Sequence, residues 1–506
     1  MEKPIPVSKI LMFALYFVIL LVVTGELFFE EQFNSMLGRL FPQRIASADI
    51  LTIGLSEAAV SNDPLANDTG TRNRLLHVFE PLVSVNADLQ IEPALAISYG
   101  SLDDLTWELR LRPGVLFHGG TPLDFEKVLA SLEAAQSQNS GVRDLASTIK
   151  EVTKVDESIF RITTNSIDPL LLQKLSSILI FSQKADGSFD GTGPYELVKN
   201  EGGALTLSRF EKYWGTLPTF KTVILKTVLQ KTEKVGMLRD SQVDILANLP
   251  ADIATMFDYR NFELKARQSL EANFLMFNFD GVFGSRQLRE AAKLALNTDQ
   301  LSRLAQGFSS PTDQFVGNGI FGFNPKIPKK EFDVNRALAL FAESGLQAPV
   351  KVVLDLPKGL ETFGNGIKDQ LKKIGLEIEP QYLTPAELGQ KIINRKSDFY
   401  FFGWKNDLGD ASDFLTSVAH SAGGSFGQFN GGNYKNPQVD ELIESSQKTV
   451  KQDERLTSLR EVMRKITADD IIGVPLFSPE VLYGVSNKLK WMPRVDGYVL
   501  AQEVKL

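Results

Sequence analysis

The sequence predicts an α/β protein with a partly parallel sheet, divided into two or three domains and preceded by an N-terminal apolar segment. Three observations carry this expectation. The chain has 506 residues, more than a single hydrophobic core accommodates. Between Lys351 and Glu379 a strand pattern, a helix pattern and a second strand pattern follow one another with short joins, the order of a parallel crossover unit. A basic-flanked apolar run, Ile10 to Val23, stands ahead of the rest.

Bulk properties narrow the function. A formal net charge of −8 disfavours nucleic acid and anionic membrane surfaces as partners. The chain has no cysteine, which excludes disulfides, thiolate chemistry, Cys-ligated metals and a lipid-modified N-terminal cysteine. Three histidines, His77, His118 and His420, leave little for a His-rich metal site.

Taken in order, Lys3 and Lys9 precede the apolar run. Extended to residues 10–29, it reaches the ~20 residues of a membrane span. Lysines before it and Glu26, Glu30 and Glu31 after it place the body outside the cytoplasm. Phe29, Phe33, Met36, Leu37 and Leu40 share one helical face, as in a helix lying at the membrane interface. Residues 1–49 are therefore expected to be a transmembrane anchor with a juxtamembrane helix. The alternative is a signal segment cleaved near Ala48. Ala46-Ser47-Ala48 has the right small-residue form but lies about 20 residues past the apolar run.

The body begins with a strand at Ile50–Ile53. Trp107, Leu109 and Leu111 alternate with charged residues, the period of a half-buried strand. Pro113-Gly114 is turn chemistry, and Val115 and Phe117 frame a short second strand. Thr121 is expected as N-cap, with Pro122 in the first helical position and Asp124 completing a capping-box-like pattern. Phe125, Val128, Leu129 and Leu132 then share a helical face. His77 is expected to be a packed helix histidine. Phe274 to Asn278 is a strand, and Arg286 to Leu296 an amphipathic helix. A helix ends at Gly345 as C-cap. Lys351–Leu354, the helix Gly366–Ile374 stopped by Gly375, and Leu376–Glu379 make the crossover unit. Asp398–Phe402 is a buried strand that leads into the loop Gly403–Asp410, and Ile472–Phe477 is a final strand.

Two catalytic motifs are decoys. Gly423-Gly424-Ser425-Phe426-Gly427 has the form of a nucleophile elbow, but a loop follows it and every histidine lies upstream. Gly317–Gly322 fits a dinucleotide fingerprint, yet Asn324-Pro325 and Pro328 follow where a helix should open. No catalytic constellation is visible, so no enzyme activity and no cofactor are expected.

Several stretches carry a resemblance. Asp103-Asp104-Leu105-Thr106-Trp107, Leu109-Arg110, Gly114-Val115 and Phe117-His118-x-Gly120-Thr121-Pro122 stand in one order. Arg74–Val83, Thr192-Gly193-Pro194-Tyr195, Tyr213-Trp214-Gly215 and Asn433–Ile443 extend it. This series resembles the markers of the large extracytoplasmic solute-binding proteins of peptide and nickel ABC transporters, the dipeptide- and oligopeptide-binding type of family 5, from Ile50 to Leu506. Pro81 and Ala411 depart from that pattern, where relatives usually have Gly and often have Pro.

The resemblance implies a bilobed periplasmic-binding-protein fold, type II in its large three-domain variant. Lobe I would comprise residues 50–77, 190–280 and 472–506, with 78–189 an inserted subdomain, and lobe II residues 281–471. A monomeric body would capture an extracytoplasmic peptide between the lobes, close on it, and deliver it to a permease with its ATPase. The same fold with another solute (nickel chelate or oligosaccharide), or an anchored sensor, is the alternative.

The candidate site is the loop after Phe402, with Gly403, Trp404 and three acids, Asp407, Asp410 and Asp413. A solvated turn with capping or calcium-like aspartates is the plain reading. By the resemblance, Asp407 matches the acid that pairs with a peptide's α-ammonium, with Asp410 the fallback if the register differs. A carboxylate enclosed in a cleft is costly unless a cation joins it. Trp404 would be an aromatic wall or a packed core residue, and Asn278, at its strand's end, would hydrogen-bond ligand backbone.

Overall fold

The strand Gly473–Ser486 is the longest among the described residues and joins the two halves of a twelve-stranded sheet. Its sequence, GVPLFSPEVLYGVS, is a nearly continuous apolar run, as expected for a strand covered on both faces. Two prolines sit in it, and each gives up a ladder donor. Pro475 stands beside the register shift against Asn273 and Phe274, and Pro479 pairs with the short strand Ser309–Pro311. The computed structural model describes residues 49–256, 261–305 and 308–506. The membrane anchor and the cleavage site expected within residues 1–49 fall on residues 1–48, outside those described. Among the described residues no helix is long and apolar enough to cross a membrane.

The first half of the sheet runs Tyr195–Glu201, Ala204–Arg209, Thr222–Thr227, Ile50–Leu55 and Ile245–Leu246, and then reaches Gly473–Ser486. Ile50–Leu55 and Ile245–Leu246 are parallel, whereas the outer strands form antiparallel hairpins. From the long strand the second half continues through Glu271–Phe277, Phe399–Lys405, Val350–Pro357 and Leu376–Leu383. Glu271–Phe277 is covered on both faces, and its side chains alternate accordingly. Leu275 and Phe277 enter one core with Phe283, Leu288, Phe363 and Ile367. Ala272, Phe274 and Met276 enter another with Phe315, Phe414, Leu459 and Met463.

The crossover unit forms in the predicted order, but its helix starts at Glu361 rather than Gly366 and ends at Lys372. Val350–Pro357 and Leu376–Leu383 are parallel and in register over their whole length, joined by the helix Glu361–Lys372. Gly375, at φ +89°, lets the chain leave that helix in the left-handed region. The amphipathic helix Arg286–Ala295 buries Leu288, Ala291, Ala292 and Ala295.

Residues 96–164 carry a separate four-stranded antiparallel sheet, ordered Ala96–Ser101, Thr106–Leu111, Ile159–Thr164, Ile149–Lys154. Trp107, Leu109 and Leu111 face its core with Phe160, Ile162 and the helix residues Phe125, Val128 and Leu132. Two local expectations need correction. The helix Phe125–Gln136 is capped by Asp124, whose side chain accepts from Lys127 N–H, not by Thr121. Val115–Phe117 forms no ladder strand, only a bridge between Leu116 and Pro122. Thr121 is instead held by its carbonyl, which accepts from Phe117 N–H, so it lies too far back to start the helix.

The decoy motifs are loops. Gly423 and Phe426 bridge each other in a turn that no strand enters, and Gly317–Gly322 opens no helix.

Candidate ligand cleft

Lys405 at its strand's end, the loop residues Pro194, Tyr213, Trp214 and Leu270, the C-terminal segment and the inserted region line one cavity of about 600 Å³. Leu51–Leu506 forms one unit of contacts, and the cavity lies within it. One wall comes from the strand Phe399–Lys405, which pairs antiparallel with Glu271–Phe277. Where it ends, Asn406 N–H donates to the Leu270 carbonyl and Gly409 N–H to the Asn406 carbonyl. The turn this closes presents Lys405, Asp407 and Leu408 to the cavity. Gly409 has φ +67° and lies against Leu89, where a Cβ would come within 2.9 Å of Leu89 Cδ1. The loop tip therefore meets the hairpin Val83–Pro93 closely.

Behind this turn lies a buried ion pair. Arg455 Nη1 donates to Asp410 Oδ2 at 2.5 Å and Nη2 to Asp410 Oδ1 at 2.8 Å, with side-chain exposures of 0% and 1%. Arg455 also donates to Ser412 Oγ and the Ser446 carbonyl, and Phe321 bridges Asp410 through the backbone. A fork-to-fork pair satisfied on all sides fixes the loop's position.

The opposite wall is organised by Glu80. Its carboxylate accepts from Thr192 Oγ1 (2.8 Å), Tyr213 OH (2.8 Å) and Trp214 Nε1 (2.9 Å). Burial pushes its pKa up to about 7, against the lowering effect of those donors. The Arg112 guanidinium lies 4.0 Å from the Trp214 ring centre. Through Glu80, the segment entering the inserted region is tied to the Thr192 bend and to Tyr213-Trp214. The C-terminal segment closes the floor. Arg494 pairs with Asp496 and Glu503 and donates to the carbonyls of Val85 and Asn86, clamping the hairpin from below.

Of the five residues expected at the site, only Asp407 lines the cavity. Asp410 is consumed by Arg455 and cannot serve as fallback. Asn278 caps its own strand end, donating to the Ser397 carbonyl and accepting from Asp280 N–H. Trp404 packs among Phe402, Phe414 and Phe429, and its indole N–H donates to Asp413. Gly403 faces the neighbouring strand, where a Cβ would lie 2.7 Å from Asn273 Oδ1. The calcium-like alternative fails as well. Asp407, Asp410 and Asp413 turn to three different partners, Lys405, Arg455 and Trp404. Among the described residues no cluster of acids and histidines is placed to hold a metal ion. Sequence reasoning missed Arg72 and Arg494 as cleft residues, because neither belongs to a motif and their approach depends on distant segments, and it passed over Lys405 although that residue lies within the candidate loop.

Known proteins resemble this chain in sequence and in fold. The family model for bacterial extracellular solute-binding proteins, family 5 (middle), matches residues 90–426. The glutathione-binding protein GsiB of Pectobacterium atrosepticum is 24% identical over 447 residues, covering 82% of this chain and 86% of GsiB. The nickel-binding protein NikA of Staphylococcus aureus is 24% identical over 427 residues, covering 81% and 85%. In fold, the chain matches the periplasmic murein tripeptide-binding protein MppA in its unliganded open form, with a TM-score of 0.82, 16% identity, and coverage of 91% of this chain and 98% of MppA. A mixed α/β fold, the expected marker order and the family match agree, and the chain belongs to family 5 of the bacterial extracellular solute-binding proteins.

Proposed function

We propose that this protein is the solute-capturing component of an ABC importer and that its ligand is a short peptide whose α-ammonium meets Asp407. The observation that carries the reading is the position of Asp407. It stands at the tip of a loop fixed by a buried ion pair, on the wall of a cavity of about 600 Å³. Glutathione and murein tripeptide, named for two of the relatives, are both small peptides.

Contacts to both walls exist together only when the cleft is closed, so a ligand that makes them shifts the population towards closure. The closed form is what a permease and its ATPase would receive. This reading keeps the lobe division proposed from the sequence, except that we count Glu271–Phe277 with lobe II, because its side chains enter the two cores of the second half. The motion would then turn on Gly473–Ser486, whose half-buried middle, Pro479–Val481, separates its two sets of partners. Residues 1–49 would hold the body at the extracytoplasmic face of the membrane, or be removed near Ala48.

A second reading keeps the fold and changes the solute to a nickel chelate or another small molecule. Lys405 favours it, because that ammonium already neutralises Asp407. Calorimetry separates the two. Di- to pentapeptides should bind, and N-acetylation or Asp407→Asn should weaken them strongly. Binding that survives acetylation would keep the peptide and remove the Asp407 role.

A further inference from the structure

Two arginines line the cleft and differ in how their donors are used. Arg494 is fully engaged, with two carboxylates and two backbone carbonyls. Arg72, on the helix Thr69–Leu75, is only 5% exposed. Its guanidinium has a single acceptor, the Ser177 carbonyl at 2.8 Å, and it forms no ion pair with any described residue. A guanidinium stays charged at any physiological pH and carries five N–H donors. A cation so enclosed, with one carbonyl for company, lacks the anion that would compensate its desolvation.

A second group without a partner lines the same cavity. It is Gln173, on the short helix that leads into Ser177. Its Oε1 is buried and has no protein partner. The side-chain amide thus offers an acceptor to the cavity that the guanidinium also lines. Turned the other way, it offers a donor in the same place.

We propose that Arg72 is the subsite for a carboxylate of the ligand. Its planar fork suits a carboxylate, and the unpartnered Gln173 amide in the same cavity suits a ligand that carries an amide as well as an acid. The C-terminus of a peptide has that pattern: a carboxylate, with the last peptide N–H two bonds from its attachment point. The inference rests on the cleft being the ligand site and extends the peptide reading to peptides with a free C-terminus, but a non-peptide acid would satisfy Arg72 equally.

The test is calorimetry of the full-length chain, wild type and Arg72→Gln, with three kinds of probe. These are tripeptides and tetrapeptides as free acids, the same peptides as C-terminal amides, and the non-peptide acids succinate and citrate. Wild type should bind the acids at least about tenfold more tightly than the amides, the scale of removing one side of an enclosed charge pair. In Arg72→Gln that preference should shrink towards one, while the effect of N-acetylation persists. A structural role alone would not move the acid-to-amide ratio. Acids and amides bound equally by wild type, or an unchanged preference in the variant, would overturn the assignment and leave Asp407 untouched. Succinate or citrate binding through Arg72 with no response to peptides would uphold it and remove the peptide reading. No response to any carboxylate probe would overturn it. If Arg72→Gln fails to fold, the acid-to-amide ratio of wild type and of Arg72→Lys decides.

Discussion

Lys405 Nζ lies 2.7 Å from Asp407 Oδ1, so the acid proposed to meet a ligand's ammonium already carries one from its own chain. Both side chains are substantially exposed, 49% and 70%, which makes the pair weak, about 0.2–1 kcal/mol. A ligand ammonium in a closing cleft can displace it. Lys405→Met should therefore tighten free-amine peptides by up to about fivefold, and the gain should shrink at about 0.5 M salt as screening weakens the pair. Weaker binding in the variant would instead make Lys405 a ligand contact.

The pair behind the loop is of another kind. Arg455 and Asp410 are enclosed, and removing one partner strands a buried charge. Arg455→Leu should destabilise the protein by about 3–5 kcal/mol in urea unfolding. Asp410→Asn should do less, since the amide keeps one acceptor for the guanidinium. Because this pair holds the Asp407 turn, Asp410→Asn should also weaken peptide binding while leaving the Arg72 acid preference in place.

Glu80 makes stability fall as pH rises. Its folded pKa, about 7, lies above its ordinary 4.5. The stabilisation is complete below pH 4.5 and is lost as pH climbs through 7. A shift of that size corresponds to roughly 3 kcal/mol. In Glu80→Gln this falling contribution should vanish, so that the unfolding free energy rises more steeply with pH between 4.5 and 7.

His77 acts with the opposite sign. Its Nδ1 lies 3.0 Å from the Arg74 carbonyl and donates to it, because Nε2 accepts from Ala501 N–H. Burial, first among the causes, lowers its pKa to about 4. Its contribution is complete above pH 6.5 and is lost as pH falls towards 4. The two groups oppose each other across much of the same window. His77→Gln should make the protein more acid-resistant in slope and Glu80→Gln more acid-sensitive, each measured as unfolding free energy against pH.

Much of the fold was legible because its signals are local. The alternation at Trp107–Leu111, the helix face of Arg286–Ala295 and the stop at Gly375 each follow from residues within one or two turns. The helix start was misjudged because Thr121-Pro122 and Asp124 offer overlapping caps, and the bridge that commits Thr121's neighbours to a turn is not a sequence feature. The site was less legible. Asp407 was found through a resemblance, whereas Asp410, three residues on, looked equivalent until Arg455, 45 residues away, proved to occupy it. Arg72 carries no signal in the sequence. Its meaning lies in what is not beside it, which only the assembled walls reveal.

The most direct test is a crystal structure of the protein with a bound tetrapeptide. The account predicts the peptide in the cleft, its α-ammonium at hydrogen-bond distance, about 3 Å, from the Asp407 carboxylate, and Lys405 turned away. A cleft left empty at saturating peptide, or a peptide whose amino terminus meets some group other than Asp407, would contradict it.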